Sequence, residues 1–292
     1  VARLYVVTVL FDPDEAAVNR MLRSVGVAVE RALTEAVVTA GGVLVGDCSP
    51  EPLASAPRLA GLEVRYWHFD ENLGHSAGCN ELVSRVGKLA AADDVVVFLN
   101  PDTVVAPDAL AKLAAAVSAP SVGVADARQI PFEHPKAFDP ETGEESWASG
   151  ACMALRAGVF HEVGGFDSKY FWSYCNDVDI SWRIRAKGYS AVYVPEAVVF
   201  HDKRMDSDGG LIATSTQDFY STLGRLHLAH RYGRPDLAAE TAKWIRRSGG
   251  AEHRRALAVY EAEKARQDLP SRIAGADRVA QFVGQEYAVH RF

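Results

Sequence analysis

A chain of 292 residues, 48% hydrophobic and 24% charged, can bury a substantial core without disulfides or a structural metal and is not intrinsically disordered. Its net charge of −7 argues against general nucleic-acid binding, which needs a basic face against phosphate. No uncharged apolar run approaches the ~18 residues of a membrane span, and Val1-Ala2-Arg3-Leu4-Tyr5 leads into a strand-like stretch without a basic-then-apolar leader, so we expect no signal peptide and a cytoplasmic location.

In chain order, short Val-rich runs bounded by Gly, Pro or Asp predict strands at 4–10, 43–47, 62–69, 94–99, 122–126, 151–155 and 191–194. Helical stretches lie between the early ones. Leu82, Val83, Val86, Leu89 and Ala90 face inward on a helix over 77–91, and Leu110, Leu113, Ala114 and Val117 share one face of another that begins at Pro107-Asp108. Strands alternating with helices predict an α/β fold with a mostly parallel sheet flanked by helices. From residue 213 no strand is evident. Helical patterns run through 219–230, 236–247, 251–267 and 276–288, giving a C-terminal all-helical extension, and we divide the chain into units 1–212 and 213–292. The first unit holds 18 Lys+Arg against 29 Asp+Glu, the second 13 against 9. Lys243, Arg246, Arg247, Arg254 and Arg255 read either as a solvated helical face or as a surface for peripheral contact with anionic lipid. The cysteines Cys48, Cys79, Cys152 and Cys175 are widely spaced and read as small buried hydrophobes.

Ligands of open parallel sheets bind beyond the carboxyl ends of the strands. Asn100-Pro101-Asp102 follows the most apolar strand, and an amide oxygen and a carboxylate so spaced can approach one hard cation with a diphosphate. The alternative is a turn in which Asp102 caps the next helix. Asp177 and Asp179 open a helix, where the dipole holds a carboxylate ionised. They suit either a helix cap or a general base, and Arg183 suits an ion pair with Asp179. Tyr170, Phe171, Trp172, Tyr174 and Trp182 suit a core or a sugar-stacking surface. His201 ends a short apolar run and matters only if the chain returns it to the rim bearing Asp102. The Pro-rich stretch 128–147 and residues 202–212 are long loops that would close over a bound substrate.

These residues together resemble the family 2 glycosyltransferases of GT-A fold, in the bacterial rhamnosyl- and galactofuranosyl-transferase-like branch. The motifs, in order, are Asn72-Leu73-Gly74…Gly78…Asn80, Leu99-Asn100-Pro101-Asp102-Thr103, Ser149-Gly150-Ala151 with Arg156, Gly164-Gly165-Phe166-Asp167, Asn176-Asp177-Val178-Asp179, Arg183, Gly188-Tyr189, Pro195 and His201. The resemblance spans roughly residues 3 to 201. It implies an inverting hexosyl transfer from a nucleotide-diphosphate sugar, UDP- or dTDP-linked, to a carbohydrate or lipid-linked acceptor hydroxyl. It makes Asp177 the catalytic base, and Asp102, Asn100 and His201 the holders of Mg²⁺ or Mn²⁺. Thr8, Phe11, Asp47 and Asn72 fall where the family holds base and ribose, with Gly74, Asn80, Asn100 and Asp102 completing the donor site. Departures are Asp47, one place from the usual acid, Asn100 in place of Asp, and Asn176 in place of the first acid of the pair. The last spares Asp177 a like-charge neighbour and implies a normal, ionised base. The rival readings are a nucleotide-sugar-binding protein without turnover and a sugar nucleotidyltransferase. The acidic Phe11-Asp12-Pro13-Asp14-Glu15 stretch disfavours the latter, which needs a Gly-rich basic loop after the first strand.

Overall fold

The computed structural model describes residues 2–86, 91–203, 214–284 and 286–291. The chain runs β1 (Arg3–Leu10), α1 (Glu15–Thr34), β2 (Ala40–Asp47), β3 (Glu63–His68), α2 (Gly74–Val86), β4 (Val95–Leu99), β5 (Thr103–Val105), α3 (Ala109–Val117), β6 (Val122–Ile130), β7 (Glu144–Glu145), β8 (Cys152–Arg156), α4 (Ala157–Glu162), α5 (Asn176–Ala186), β9 (Ser190–His201), α6 (Ser215–Arg231), α7 (Pro235–Ser248) and α8 (Ala251–Ala265). Leu89 and Ala90 of the predicted second helix, and the candidate lid from residue 204 onward, lie outside the described residues.

One sheet holds the order β3-β2-β1-β4-β8-β6-β9-β5, with β7 beside β9. The β3-β2-β1-β4 half is parallel throughout. At β8 the direction reverses, and β6–β9 is the remaining parallel pair. The sheet is therefore mixed. A continuous apolar run such as Val95–Leu99 is buried on both faces whichever way its neighbours point, so the sequence pattern does not encode strand direction. One face packs on α1 and α3 through Val6, Met21, Val97 and Leu113. The other packs on α2, α4 and α5 through Val7, Leu82, Phe98 and Ile180. All four cysteines are buried and unpaired.

Helices α6, α7 and α8 share an apolar core of Phe219, Leu226, Ile245 and Tyr260. A second cluster joins them to the sheet unit, with Trp182 and Phe171 packed against Leu228, Tyr232 and Val279. The helix expected over 276–288 does not form. A single 3₁₀ turn at Ala276–Arg278 is followed by irregular backbone with Gly284 at φ +59°. The apolar residues there dock individually, Phe282 and Tyr287 lying edge-on to Trp182, and a helix could not present them together. The chain then crosses the 131–143 loop, where Ala137 N donates to Val289 O and Arg291 N donates to Pro135 O, each at 2.7 Å. The Pro-rich stretch is thus pinned in place.

Candidate active site

The order reversal in the sheet places the ends of β1 and β4 side by side, and the candidate residues gather there. β5 pairs antiparallel with β9 so that Thr103 faces His201. This register, invisible in the sequence because β5 is three residues long, brings His201 beside Asp102. His201 Nε2 lies 3.4 Å from Asp102 Oδ1 and 3.5 Å from Asn100 Nδ2. Asp102 does not cap α3, because β5 separates them. The other ring nitrogen, Nδ1, is 3.0 Å from Oε1 of the buried Gln129. With that oxygen accepting, the proton sits on Nδ1 and Nε2 keeps its lone pair toward Asp102. Gln129 was not foreseen, because only the β6–β9 register shows that it lies behind His201.

Asp177 stands at the first turn of α5. The approach is unusual, with Tyr174 and Cys175 both in the left-handed region at φ +60° and +57°. Two such non-glycine residues in sequence persist only where their surroundings fix them. Cys175 packs on Gly224 of α6, where an added Cβ would come within 2.9 Å of the Cys175 Cβ. The kink presents the α5 N-terminus to the strand ends. Asp177 Oδ2 accepts from Gly150 N at 3.0 Å and Oδ1 from Val178 N at 2.9 Å. The next residue, Ala151, accepts at its carbonyl from Asn100 N at 3.0 Å. Gly150-Ala151 is therefore the shared wall between Asp177 and the Asn100–Asp102–His201 group. Burial raises the Asp177 carboxyl above its ordinary value against the two backbone donors. This corrects the expectation of a normal base: the amide at 176 removes a like charge, but desolvation decides the shift.

Asn176 turns away from Asp177. Its Nδ2 reaches Ser76 Oγ at 3.0 Å and His75 Nδ1 at 2.9 Å, and burial lowers His75 to about 4, keeping it neutral. Asp179 is fully buried, 2.8 Å from Arg183 and 2.7 Å from Arg231, and is an anchor between α5 and α6.

The donor candidates divide. Phe11 is 55% exposed at the end of β1. Thr8 is buried, its Oγ1 without a hydrogen-bond partner among the described residues. Asp47 points inward with no exposure. It accepts from Ser49 N at 3.0 Å, Leu53 N at 3.3 Å and Tyr66 Oη at 2.7 Å. Burial pushes its carboxyl up, but these donors more than reverse that. Asn72 Oδ1 accepts from Gly74 N at 3.1 Å at the start of α2. Gly74, at φ +71°, lies where a Cβ would strike Trp172 at 2.3 Å. Asn80 is bound to the backbone of Phe166 through both ends of its amide, at 2.8 and 2.9 Å. Asp47 and Asn80 thus have polar atoms engaged within the protein.

Beside the site lies a buried cluster unmarked in the sequence. Lys136 Nζ is 2.6 Å from Asp126 and 3.0 Å from Glu145, and also donates to Trp147 O. Burial disfavours the ammonium, but the two carboxyls outweigh it and hold it charged. Burial raises Glu145 well above its ordinary value. Two open cavities of about 490 and 480 Å³ lie elsewhere, one between α1 and residues 53–58, the other around Arg183, Arg231 and Arg272. Neither cavity is lined by Asp102 or Asp177.

Residues 42–179 match the family described as Glycosyl transferase family 2. The chain is 29% identical over 242 residues to an N-acetylglucosaminyl-diphospho-decaprenol L-rhamnosyltransferase of Mycobacterium tuberculosis, covering 68% of this chain and 76% of that one. It is 33% identical over 82 residues to the rhamnosyltransferase WbbL of Escherichia coli, 28% and 27% of the two chains. Similar solved folds include GalNAc-T7 with UDP, GalNAc and Mn²⁺ (TM-score 0.61, 14% identity), which covers 92% of this chain, while this chain spans 55% of that one. The mannosyltransferase PcManGT of Pyrobaculum calidifontis with GDP-Man and Mn²⁺ (TM-score 0.52, 15% identity) covers 90% of this chain and 80% of its own. The matched segment holds Asn100, Asp102, Gly150 and Asp177 and ends at Asp179, so these candidate residues lie within the stretch that is similar to the family 2 glycosyltransferases, on a fold shared with GT-A enzymes.

Proposed function

We propose that the protein is an inverting, metal-dependent transferase that moves a hexose from a UDP- or dTDP-linked donor onto a hydroxyl of a lipid-linked acceptor. The observation that carries this reading is the placement of Asp177 and the Asn100–Asp102–His201 group on either side of Gly150-Ala151. The M. tuberculosis relative, named for an acceptor built on diphospho-decaprenol, supports a lipid-linked acceptor and a rhamnosyl donor.

Asp177 accepts the proton of the acceptor hydroxyl as that oxygen bonds to the anomeric carbon and the bond from that carbon to the diphosphate breaks. Each Asp177 oxygen already accepts one backbone N–H and keeps a second lone pair for the substrate. The two backbone donors fix the carboxylate so that only the acceptor must be oriented.

The donor set on the rim fits a hard divalent cation, Mg²⁺ or Mn²⁺. Asp102 supplies a carboxylate 47% exposed, His201 supplies Nε2 with its lone pair free, and a half-turn of the Asn100 amide presents its oxygen. Among the described residues no three His, Cys, Asp or Glu side chains converge on one point, so the rest of the shell falls to a diphosphate and water. Such a cation, when bound, neutralises the charge of the leaving diphosphate. Phe11 then provides an exposed ring for the base, Asn72 lies at the entrance, and Asp47 and Asn80 shape the loops. Residues 1–212 form the donor and catalytic unit, and 213–292 a helical brace.

Thermal unfolding with UDP or dTDP, with and without Mn²⁺, tests the donor half. Ligand bound a hundredfold above its dissociation constant stabilises by about 2.7 kcal/mol. We expect a metal-dependent rise in Tm, abolished in Asp102→Ala and reduced in His201→Ala. No rise with any nucleotide diphosphate and metal would overturn the reading.

A further inference from the structure

The five basic residues of the C-terminal unit do not behave alike. Arg246 pairs with Glu261, and Arg255 pairs with Glu252 at 2.9 Å while lying 4.2 Å over the Phe219 ring. Lys243, Arg247 and Arg254 are exposed and have no carboxylate partner among the described residues. Lys243 and Arg247 stand four apart on the last turns of α7, and Arg254 is on the first turn of α8, so all three border the Gly249-Gly250 turn. Among them sits Trp244, 43% exposed and edge-on to His253 at 5.2 Å. A partly exposed indole beside cations that have no carboxylate partner among the described residues stands out on a protein of net charge −7. It is the composition that seats at a bilayer interface, with the ring at headgroup depth and the cations on anionic phosphates.

The fold decides where this tip points. α6 and α8 run side by side in the same direction, since Arg255 lies over Phe219 and Glu263 Oε2 is 2.6 Å from His227 Nε2. The start of α8 therefore lies with the start of α6. That end of α6 packs on the approach to Asp177, through Tyr220 stacked on Trp172 at 4.5 Å and Gly224 against Cys175. The hairpin tip and the acceptor side of the catalytic rim thus share one end of the molecule.

We propose that Lys243, Trp244, Arg247 and Arg254 form a docking surface for an anionic lipid bilayer, which sets the catalytic rim against the layer that carries the acceptor. The orientation rests on the lipid-linked acceptor proposed above; the docking itself needs neither donor nor acceptor. Each basic residue at an anionic surface raises partitioning roughly fivefold, so the three together are worth on the order of a hundredfold.

Co-sedimentation of the full chain with phosphatidylcholine vesicles containing about 30% phosphatidylglycerol tests this at low and high salt, against vesicles of phosphatidylcholine alone. We expect pelleting with the anionic vesicles at low salt only. Lys243→Gln/Arg247→Gln/Arg254→Gln should lower the partition coefficient on the order of a hundredfold, and Trp244→Ala should lower it with no change in charge. The control Arg20→Gln/Arg23→Gln/Arg58→Gln carries the same charge change on exposed residues of α1 and its neighbouring loop and should bind like the parent. No pelleting at low salt, or equal losses in the two triple variants, overturns the proposal. A result against docking leaves the transferase reading intact, whereas the absence of any Tm rise with nucleotide diphosphates and metal would overturn that reading and leave docking untouched.

Discussion

Two aspartates two residues apart have opposite physical standing. Asp177 keeps an open edge, and burial raises its carboxyl, so the folded protein binds a proton there more readily than the unfolded chain does. For a raised acid the ionised form costs stability, and that cost grows as pH rises through the interval between the unfolded and folded values. Asp177→Asn removes the cost while a side chain of the same size remains, so we expect cooperative unfolding near the parent Tm, with transfer reduced by ~10²–10⁴-fold. In the parent, the acid limb of kcat/KM should lie above the ordinary aspartate value of about 3.9, because the base must be ionised to act. Asp179 makes the contrast. Breaking its buried pairs with Arg183 and Arg231 should cost about 3–5 kcal/mol, so Asp179→Asn should lose activity together with its fold. Urea denaturation and a pH–rate profile separate the two. A parent-like rate in Asp177→Asn would place the base elsewhere.

The strand ends are shaped from beneath by elements that show no chemistry in sequence. Lys136, on the loop between β6 and β7, bonds Asp126 of β6 and the carbonyl of Trp147, two residues from the Ser149-Gly150 segment that supports Asp177. Lys136→Met strands Asp126 as a buried carboxylate, and we expect a loss of about 3–5 kcal/mol at neutral pH. Asp126, already raised by burial, rises further without its cation, so the loss should be smaller at about pH 5 than at about pH 8. Adding Asp126→Asn should recover most of it; a pH-independent loss would show that the ammonium acts by packing alone. The long apolar strands and the α2, α3 and α6–α8 helices are legible in the sequence because each repeats its burial pattern over several turns or pleats. β5 and β7, three and two residues long, carry no such repeat, yet β5 sets the His201–Asp102 contact. The alternation within 276–288 reads as a helix because Ala276, Val279, Ala280 and Val283 keep a helical step, but docking against Trp182 outweighs that local preference. Asn80 and Asp47 fit a ligand site by motif, and only the backbone around them shows where their polar atoms are engaged.

At the scale of the molecule the question is whether the α/β unit exists without its helices. The contact between them is interior in character. Trp147, Phe171, Cys175, Val178 and Trp182 from one side meet Leu228, Tyr232, Ala276, Val279 and Ala288 from the other, all buried. Through the middle run the Arg231 pairs with Asp179 and Asp167, and Tyr232 Oη donates to Asp179 O at 3.1 Å. Removing residues 213–292 would bare the apolar side, at roughly 1.5–3 kcal/mol for each large side chain exposed. It would also leave Asp167 and Asp179 short of a cation. Those losses approach the ~5–15 kcal/mol that holds a domain together. We therefore expect a 1–212 fragment to keep far-UV helix and strand signal but lose near-UV signal, bind a hydrophobic dye and unfold without cooperativity. Supplying 213–292 in trans should restore the near-UV signal if that piece reaches the same face. A 1–212 fragment that unfolds cooperatively near the parent Tm would show that the helices are an attachment, and that the left-handed turn at Tyr174-Cys175, which sets Asp177, is held by the sheet unit alone.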